Sequence, residues 1–255
     1  MMTRLSRFFA PLLEKRCAAC SSPVAASADG NGEETRLCLC SACSEKLILR
    51  RGGYCPVCGN LTTLPDAEPS LCGACLTRRN VGEPQPWGAL FFFAPYEGFL
   101  RDLILRCKAT QELPLARLLG ELLASHPGIS AGIPHYDAIV PVPLHAAKLR
   151  KRGFNQALEM AKPLARRMNA PLLRDALRRT AETHSQSGLS LEDRKRNVHA
   201  AFAATGDIAG KRVLLVDDIA TTCATLEEAA IALKKSGVEH IDAAVIARTP
   251  ELFPR

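Results

Sequence analysis

The stretch KRVLLVDDIATTCATLEE, residues 211 to 228, decides the fold of this protein. After two basic residues it continues with VLLV, a run too short for an amphipathic helix and typical of a parallel strand buried on both faces. Two adjacent carboxylates, Asp217 and Asp218, end the run. A small, hydroxyl-rich turn over residues 220 to 225 follows, and then a helix-forming run from Leu226 to Lys235. The pattern therefore predicts a buried strand, a turn and a helix.

The order of acids, turn and helix suits a sugar phosphate. In open α/β sheets, ligands bind outside the carboxyl ends of the strands, and a helix N-terminus offers unpaired N–H groups to a phosphate. Because carboxylates accept hydrogen bonds from vicinal ribose hydroxyls, we predict that Asp217 and Asp218 bind a ribose. Backbone amides and hydroxyls of the turn can hold its 5′-phosphate. The residues predicted to do so are Thr221, Thr222, Cys223, Ala224 and Thr225.

Two other interpretations of the acid pair are possible. The acids could merely cap the next helix, but one residue would suffice, and two adjacent acids after a buried strand are costly without a partner. A phosphoacceptor receiver domain can also carry VLLVDD, near its start and followed by several βα units. Only 37 residues follow Asp218, which excludes a receiver domain.

Cysteines dominate the first part of the chain. The first 80 residues contain nine of the eleven cysteines, and eight of the nine form four C-x-x-C pairs. Two such pairs can bind one tetrahedral zinc ion, and four sulfur ligands leave no open position for catalysis. Disulfides are disfavoured because no secretory signal precedes the cysteines. We therefore predict two structural Zn²⁺ sites. Their ligands are Cys17, Cys20, Cys40, Cys43, Cys55, Cys58, Cys72 and Cys75.

The pairing of these cysteines is open to two solutions. Sequential ribbons would join the first pair with the second and the third with the fourth, whereas an interleaved cross-brace would exchange them. The spacers of 19 and 13 residues favour the sequential form. Cys38 could replace Cys40, but Cys40 keeps the two-residue spacer, so we treat Cys38 as spare.

Composition and charge set the class of protein. A chain of 255 residues with 47% hydrophobic content can form one domain of ordinary size and a smaller one. The apolar run near the N-terminus, from Phe8 to Leu13, is too short for a signal core, and no run approaches membrane-spanning length. We expect a cytoplasmic protein without a transmembrane segment.

The distribution of charge tells more than its total. Eight thiolates on two zinc ions would reduce the formal net charge of +7 to +3, which is weak support for nucleic-acid binding. Residues 148 to 212, however, contain 15 Lys and Arg against 6 Asp and Glu. A local charge of +9 attracts a polyanion, either pyrophosphate or a nucleic-acid backbone.

A boundary is predicted in TRRNVGEPQPW, residues 77 to 87, where two prolines and a glycine separate the cysteine-rich part from an apolar strand. We assign residues 1 to 80 to a double zinc-ribbon domain and residues 83 to 255 to an α/β domain. In the second domain the predicted strands are 89 to 94, 137 to 142, 213 to 216 and 241 to 247. The predicted helices are 99 to 107, 113 to 124, 156 to 168 capped by Asn155, and 226 to 235.

VLLVDDIATTCAT resembles the phosphoribosyl-pyrophosphate (PRPP) motif of type I phosphoribosyltransferases: four apolar residues, two acids, two apolar residues and a Thr/Gly-rich turn. The resemblance implies a parallel-sheet type I phosphoribosyltransferase-like domain that takes PRPP with Mg²⁺. One position departs from the common form, since Cys223 stands where glycine is usual. A Cβ there narrows the allowed backbone and intrudes on the cradle, which bears on phosphate affinity.

A narrower resemblance covers nearly the whole chain. VPVPLH, KLRKRGFNQA, THSQSGLSLEDRKRNVHAAF and the PRPP motif, in this order behind a double zinc ribbon, are similar to the ComF/GntX family. The resemblance implies a link to DNA uptake during natural competence. In this chain Lys108-Ala109-Thr110-Gln111 replaces the more usual Lys-aromatic-X-Gly segment. By position, the family signature includes Arg152, Asn155, Gln186, Arg194 and Asn197.

The resemblance to phosphoribosyltransferases also implies a pyrophosphate site. In those enzymes the loop after an early strand takes the pyrophosphate, and Lys148, Arg150, Lys151 and Arg152 follow the strand that ends near Pro143. Guanidinium and ammonium groups suit that ligand, although a merely solvated charge run is the alternative. The resemblance implies that C1 of the ribose loses pyrophosphate through an oxocarbenium-like state. The predicted electrophilic helpers are Lys148, Arg150, Arg152 and, from a polar lid over residues 179 to 199, Arg194.

Three functions remain open at this stage. The chain could transfer phosphoribosyl to an unknown acceptor. It could instead sense PRPP without catalysis, in a DNA-uptake machine with a helicase-like partner. Thirdly, the ribbons and the basic segment could bind single-stranded DNA. The third function is weakened because aromatics, the stacking platforms for single strands, make up only 5% of the chain.

Overall fold

The computed structural model describes residues 16–24, 39–130, 135–180 and 201–250. None of the helices within these ranges is both long and apolar enough to cross a membrane. The helices are α1 Ser41–Ser44, α2 Gly73–Asn80, α3 Gly98–Thr110, α4 Leu113–Ala124, α5 Pro127–Ser130, α6 Ala146–Arg152, α7 Gln156–Met168 and α8 Ala224–Lys235. The strands are β1 Leu90–Pro95, β2 Ala138–Pro141, β3 Leu177–Arg179, β4 Phe202–Ala204, β5 Arg212–Ala220 and β6 His240–Arg248.

Four parallel strands form the central sheet, in the order β1-β6-β5-β2. Strands β5 and β6 occupy the middle, and residues 213 to 216 are fully buried. A strand with neighbours on both edges and helices on both faces has no polar side, which explains the unbroken apolar run. The prediction of a parallel α/β sheet is confirmed.

The limits of the deciding stretch differ from the prediction. Strand β5 does not end before the two acids but continues to Ala220, because Asp217 pairs with Val245 and Ile219 with Ala247 of β6. Helix α8 begins at Ala224, two residues before the predicted start. Both acids therefore lie on the last, sheet-bound part of β5 and are held by its ladder.

Most helices follow the predicted periodicity. The buried face of α3 consists of Leu100, Leu103, Ile104 and Cys107, as its apolar spacing indicates. Helix α7 begins where Asn155 caps it, with the side-chain oxygen accepting a hydrogen bond from the Ala157 amide at 3.1 Å. The predicted cap is thus confirmed.

The basic segment after β2 was expected to be a loop, and that expectation is wrong. Residues 146 to 152 form helix α6, which begins where the His145 ring accepts a hydrogen bond from the Ala147 amide at 3.3 Å. Alanine, leucine, lysine and arginine all favour the helical state. The helix ends at Gly153, whose φ of 73° suits glycine.

Strands β3 and β4 form a small antiparallel pair and lie on either side of residues 181 to 200 in the sequence. Almost all of the predicted lid falls in that interval, outside the described residues. The same holds for three positions of the family signature, Gln186, Arg194 and Asn197.

The two cysteine-rich units repeat one design. Each begins with a hairpin closed by a β-bridge, Arg16 with Pro23 and Tyr54 with Leu61. Each ends in a helix preceded by a cysteine as N-cap residue, Cys40 before α1 and Cys72 before α2. We call the turns of the two hairpins, residues 17–20 and 55–58, the first and second knuckles.

Both ribbons pack against the α/β domain. Along the free edge of β1, the Arg50 amide donates to the Phe93 carbonyl and the Leu90 amide donates to the Pro56 carbonyl, each at 2.8 Å. Pairing of this kind protects an edge strand that would otherwise expose its backbone groups. Cys17 and Cys43 are also buried in the core that includes α3 and α4. The limits 1–80 and 83–255 remain a prediction.

Candidate functional site

A cavity of about 430 Å³ opens at the carboxyl ends of β2 and β5, beside the N-terminus of α8. Open parallel sheets place ligands at this edge. The polar and charged residues lining the cavity are Tyr96, Lys108, Lys148, Arg152, Asn155, Gln156, Arg179, Asp217, Asp218, Thr221, Cys223 and Thr225. Residues from five separate segments of the sequence therefore meet at one place.

The acid pair lies at the centre of this cavity, half-buried. Each carboxylate accepts a hydrogen bond from the next backbone amide: Asp217 from Asp218 at 2.8 Å and Asp218 from Ile219 at 2.7 Å. The second oxygen of each carboxylate takes no part in these two contacts. One of them, Oδ2 of Asp218, forms an ion pair with Lys108 at 2.7 Å.

The two acids have opposite electrostatic environments. Burial raises the pKa of Asp217 to about 7, and the negative charge of Asp218 adds to this effect. Burial acts on Asp218 in the same direction, but the Lys108 ammonium outweighs it and holds the pKa of Asp218 below its usual value. At neutral pH, therefore, Asp218 is ionised while Asp217 is near the midpoint of its titration.

The turn between β5 and α8, residues 220–223, is called here the phosphate turn. Cys223 adopts the left-handed conformation, with φ 61° and ψ 1°, directly before the first residue of α8. Glycine reaches this conformation without strain, which accounts for its use at such turns, whereas a cysteine must be held there by its surroundings. The backbone shape is thus kept despite the substitution.

The side chains of the phosphate turn have different surroundings. Cys223 is buried and its Sγ contacts the Cys58 carbonyl oxygen at 3.7 Å. Thr221 and Thr225 line the cavity with Ala224, whereas the Thr222 hydroxyl turns back to accept a hydrogen bond from the Ala224 amide at 3.4 Å. Their proposed contacts with a phosphate remain predictions.

The basic helix α6 presents two of its residues to the cavity. Lys148 and Arg152 are four positions apart, so they share one face, and both line the cavity. Arg152 also donates to the side-chain oxygen of Gln156 at 3.3 Å. Arg150 is exposed and lies outside the cavity lining. The side chain of Lys151 and the whole of Arg194 lie outside what the structure describes.

Two cationic residues at the cavity were not assigned a role from the sequence. Lys108 comes from the last turn of α3, 110 positions before its partner Asp218. The sequence feature that could have identified Lys108 is the segment Lys108–Gln111. Gln111 stands at the position where glycine is more usual, and its φ of 58° is left-handed. Arg179 ends β3, faces Asp217 and lowers the pKa of that acid. No local pattern marks Arg179.

The cysteines form two four-sulfur clusters with the sequential pairing, which is thereby confirmed. Cys17, Cys20, Cys40 and Cys43 make the first; Cys55, Cys58, Cys72 and Cys75 make the second. In each, the sulfur atoms lie within 4.8 Å of one another, and the Cys20–Cys40 and Cys58–Cys72 Sγ distances are 3.6 Å. Four thiolates about 2.3 Å from a tetrahedral zinc ion would be roughly 3.8 Å apart, so both clusters could hold zinc.

Comparison with known proteins gives consistent results for both parts of the chain. The phosphoribosyl transferase domain model matches residues 155–252. DNA utilization protein YhgH of Salmonella typhi is 32% identical over 237 residues, which cover 91% of this chain and 96% of that protein. Competence protein F of Haemophilus influenzae is 31% identical over 225 residues, covering 82% and 96% respectively.

A solved phosphoribosyltransferase from Corynebacterium diphtheriae is also similar. It shares 18% sequence identity and a TM-score of 0.32 with this chain, over 58% of this chain and 82% of that structure.

Proposed function

Because this chain belongs to the ComF/GntX family, we propose that its cavity binds PRPP together with Mg²⁺. The observation that carries the proposal is the arrangement around one cavity of an acid pair, a helix N-terminus and two cationic side chains. These three features match, in order, the vicinal hydroxyls, the 5′-phosphate and the pyrophosphate of one ligand. Mg²⁺ would bind to the pyrophosphate oxygens, because this ion prefers oxygen ligands.

The ribose hydroxyls would be held by Asp217 and Asp218. Carboxylate oxygens accept hydrogen bonds from hydroxyl groups, and a bond to an ionised group contributes about 1.5–3 kcal/mol. The 5′-phosphate would lie on the amides at the start of α8, where the helix dipole favours an anion. Thr221 and Thr225 supply hydroxyl donors at the same place.

The pyrophosphate would lie toward Lys148 and Arg152 of α6. A guanidinium and an ammonium group can stabilise the charge that grows on a departing pyrophosphate. Together with Arg194, which lies outside the described residues, these residues would assist transfer of the phosphoribosyl group to an acceptor. Exclusion of water from C1 is the second requirement of such a transfer.

The relatives connect the proposal with DNA. Their names, DNA utilization protein and competence protein, lead us to place this chain in DNA uptake. A helicase-like partner and a cytoplasmic location remain predictions from the sequence. A binding protein that senses PRPP without turnover is the second candidate, favoured by the ion pair of Lys108 with Asp218, which already satisfies one of the two acids. Direct binding of single-stranded DNA is a third outcome for the same tests.

Isothermal titration of the zinc-loaded protein with PRPP and Mg²⁺ tests the site. Saturable binding supports it, and pyrophosphate release on adding nucleobases would then separate an enzyme from a sensor. Absence of binding at millimolar PRPP contradicts the proposal. Salt-sensitive binding of single-stranded DNA in its place would favour the third candidate.

PRPP affinity should fall as the pH drops below about 7. Protonated Asp217 loses its negative charge as an acceptor, and because the pKa of this acid is raised to about 7, the loss begins at neutral pH. The affinity should decrease by up to about tenfold per pH unit. In the free protein, the proton on Asp217 stabilises the folded state at low pH, because the pKa of this acid is raised on folding. This stabilisation is lost as the pH rises from about 4 through 7. Titrations between pH 5.5 and 8.5 measure the trend.

Asp217→Asn provides the control, because phosphate groups of PRPP also titrate near pH 6. The variant should retain the shallow dependence that belongs to the ligand and lose the part that belongs to Asp217. Equal pH profiles for the two proteins would contradict the assignment.

Lys108→Met should weaken PRPP binding by about tenfold at pH 7. Without the ammonium 2.7 Å from its Oδ2, Asp218 loses the interaction that keeps it ionised, and the pair shifts toward a shared proton. The midpoint of the pH dependence should also move upward. Lys235→Met, at an exposed lysine of α8, is the matched control and should behave as wild type. Tighter binding by Lys108→Met would instead identify Lys108 as a competitor of the ribose.

A further inference from the structure

We propose that metal binding by the second cysteine cluster is coupled to anion binding at the phosphate turn, through Arg248 and Cys223. The inference rests on the proposed function for the identity of the anion. Its structural basis is separate. The backbone carbonyl of Cys58, in the second knuckle, accepts hydrogen bonds from both Arg248 and Cys223 of the phosphate turn. Arg248 and Cys223 are thereby positioning residues for the cavity.

Arg248 is the central contact. It is the last residue of β6 and one of the most deeply buried large side chains of the described chain, at 1% exposure. Its Nε donates to the Cys58 carbonyl at 2.8 Å. Its Nη1 donates to the carbonyls of Ala220, at 3.3 Å, and of Thr221. Because the guanidinium group is planar and rigid, a shift of Cys58 is transmitted to the turn.

Cys223 makes the second contact with the same acceptor. Its Sγ lies 3.7 Å from the Cys58 carbonyl oxygen, and its left-handed φ of 61° needs support from outside the turn. On the knuckle side, a Cβ at Gly59 would come within 3.1 Å of Leu90 and 3.2 Å of Arg248. The end of the knuckle is therefore packed closely against Arg248, which in turn contacts the phosphate turn.

Metal binding would fix the shared acceptor. Cys58 is one of the four ligands of the second cluster, so a zinc–thiolate bond fixes the position of this residue, and loss of zinc releases it. The helix of the same ribbon provides a parallel link, since Arg78 of α2 forms a 2.8 Å ion pair with Glu227 in the first turn of α8. The second ribbon therefore contacts both the phosphate turn and the first turn of α8.

Charge acts in the same direction as geometry. The Arg248 guanidinium lies directly behind the phosphate turn, where a buried positive charge favours an anion on the other side. A buried guanidinium requires well-placed acceptors, and the Cys58 carbonyl is one of them. Loss of that acceptor would weaken both the turn and the local positive field.

The first cluster offers an internal comparison. Its knuckle is held by a different arginine, Arg106 of α3, which donates to the Ala18 carbonyl at 2.5 Å and to the Ala19 carbonyl. These contacts lead to α3, which carries Lys108, and not to the phosphate turn. Emptying the first cluster should therefore affect PRPP affinity less than emptying the second.

The experiment compares Cys75→Ser with Cys43→Ser in the full-length protein. The two residues are equivalent, each a buried ligand in the first turn of its helix. PRPP affinity, measured by titration with Mg²⁺, should fall at least about fivefold in Cys75→Ser and clearly less in Cys43→Ser. Arg248→Met should reproduce the loss with both zinc ions bound. Equal affinities in the two serine variants would overturn the proposal.

Coupling must be reciprocal, which gives a readout besides affinity. PRPP should slow zinc release to a chromogenic chelator from Cys43→Ser, which retains only the second site. It should leave the rate unchanged in Cys75→Ser, which retains only the first. In the double variant Cys43→Ser/Arg248→Met the effect of PRPP should disappear. A PRPP effect that persists there would show that Arg248 does not carry the coupling.

Alkylation of Cys223 distinguishes failure of the coupling from failure of the proposed function. Peptide mapping after iodoacetamide treatment, without PRPP, should show Cys223 labelled faster in Cys75→Ser and Arg248→Met than in wild type or Cys43→Ser. If wild type binds no PRPP, the proposed function is wrong and this labelling still decides the coupling. Equal labelling of all four proteins would contradict it. Arg248→Met covers the case in which Cys75→Ser fails to fold.

Discussion

Asp217→Asn/Asp218→Asn should weaken PRPP binding by at least about 100-fold. Each carboxylate is placed to accept a hydrogen bond from a ribose hydroxyl, and such bonds to charged groups contribute about 1.5–3 kcal/mol each. Two of them correspond to about 3–6 kcal/mol, and every 1.4 kcal/mol is a factor of about ten. The titration should be run at pH 8, where both acids of the wild-type protein are ionised.

The matched control is Asp175→Asn/Asp207→Asn, which removes the same charge from two exposed positions. It should bind PRPP within about twofold of wild type. The acid-pair variant should keep a cooperative thermal transition, since replacing Asp217 removes a group whose ionised form burial disfavours. Undiminished binding by the folded acid-pair variant would show that the ribose is not held by these carboxylates.

Cys17→Ser/Cys55→Ser should lose both zinc ions and lower the melting temperature by about 10–20 °C. Each substitution removes a buried ligand from one cluster. Structural zinc contributes folding energy directly, about 10–16 kcal/mol in isolated zinc-finger peptides. If about 5 kcal/mol of this stabilises the whole chain, a shift of about 2–4 °C per kcal/mol gives the stated range.

Elemental analysis and differential scanning calorimetry check this result. Wild type should contain two zinc ions per chain, one in each cluster. Cys107→Ala is the control, because Cys107 is a buried cysteine of α3 outside both clusters. It should retain two ions and show only the loss expected for a small core truncation. A wild type whose thermal transition is the same with and without zinc would refute the structural role of the clusters.

The zinc-free variant should still unfold in a single transition at the lower temperature. Cys17, Ala19 and Cys43 lie in the same apolar core as α3 and α4, so the first ribbon cannot unfold without exposing part of the α/β domain. The first metal site thereby stabilises the core of the α/β domain.

Local sequence patterns were sufficient for much of the fold. The run VLLV indicated a strand buried on both faces, Asn155 marked the start of α7, and the C-x-x-C spacing gave both clusters. These features depend on neighbours in the chain: side-chain period, a cap three or fewer residues away, and ligands on one turn. These features can therefore be predicted from the sequence.

The segment after β2 shows where local signals were misread. A charge run suggested a loop, but alanine, leucine, lysine and arginine between His145 and Gly153 form a capped helix. Only this helical form puts Lys148 and Arg152 on one face and leaves Arg150 exposed. The local conformation thus decided which cations reach the cavity.

By itself, then, the sequence determined the parallel sheet, the two metal clusters and the acid pair that marks the ligand edge. Only the tertiary structure decided that Lys108 pairs with Asp218, 110 positions away, and that Arg248 contacts Cys58, 190 positions away. Contacts over such separations arise from the packing of whole elements, in which strand order and helix orientation bring distant side chains together. No residue pattern along the chain encodes them directly, and for that reason the electrostatics of the cavity and its connection to the second ribbon came from the fold.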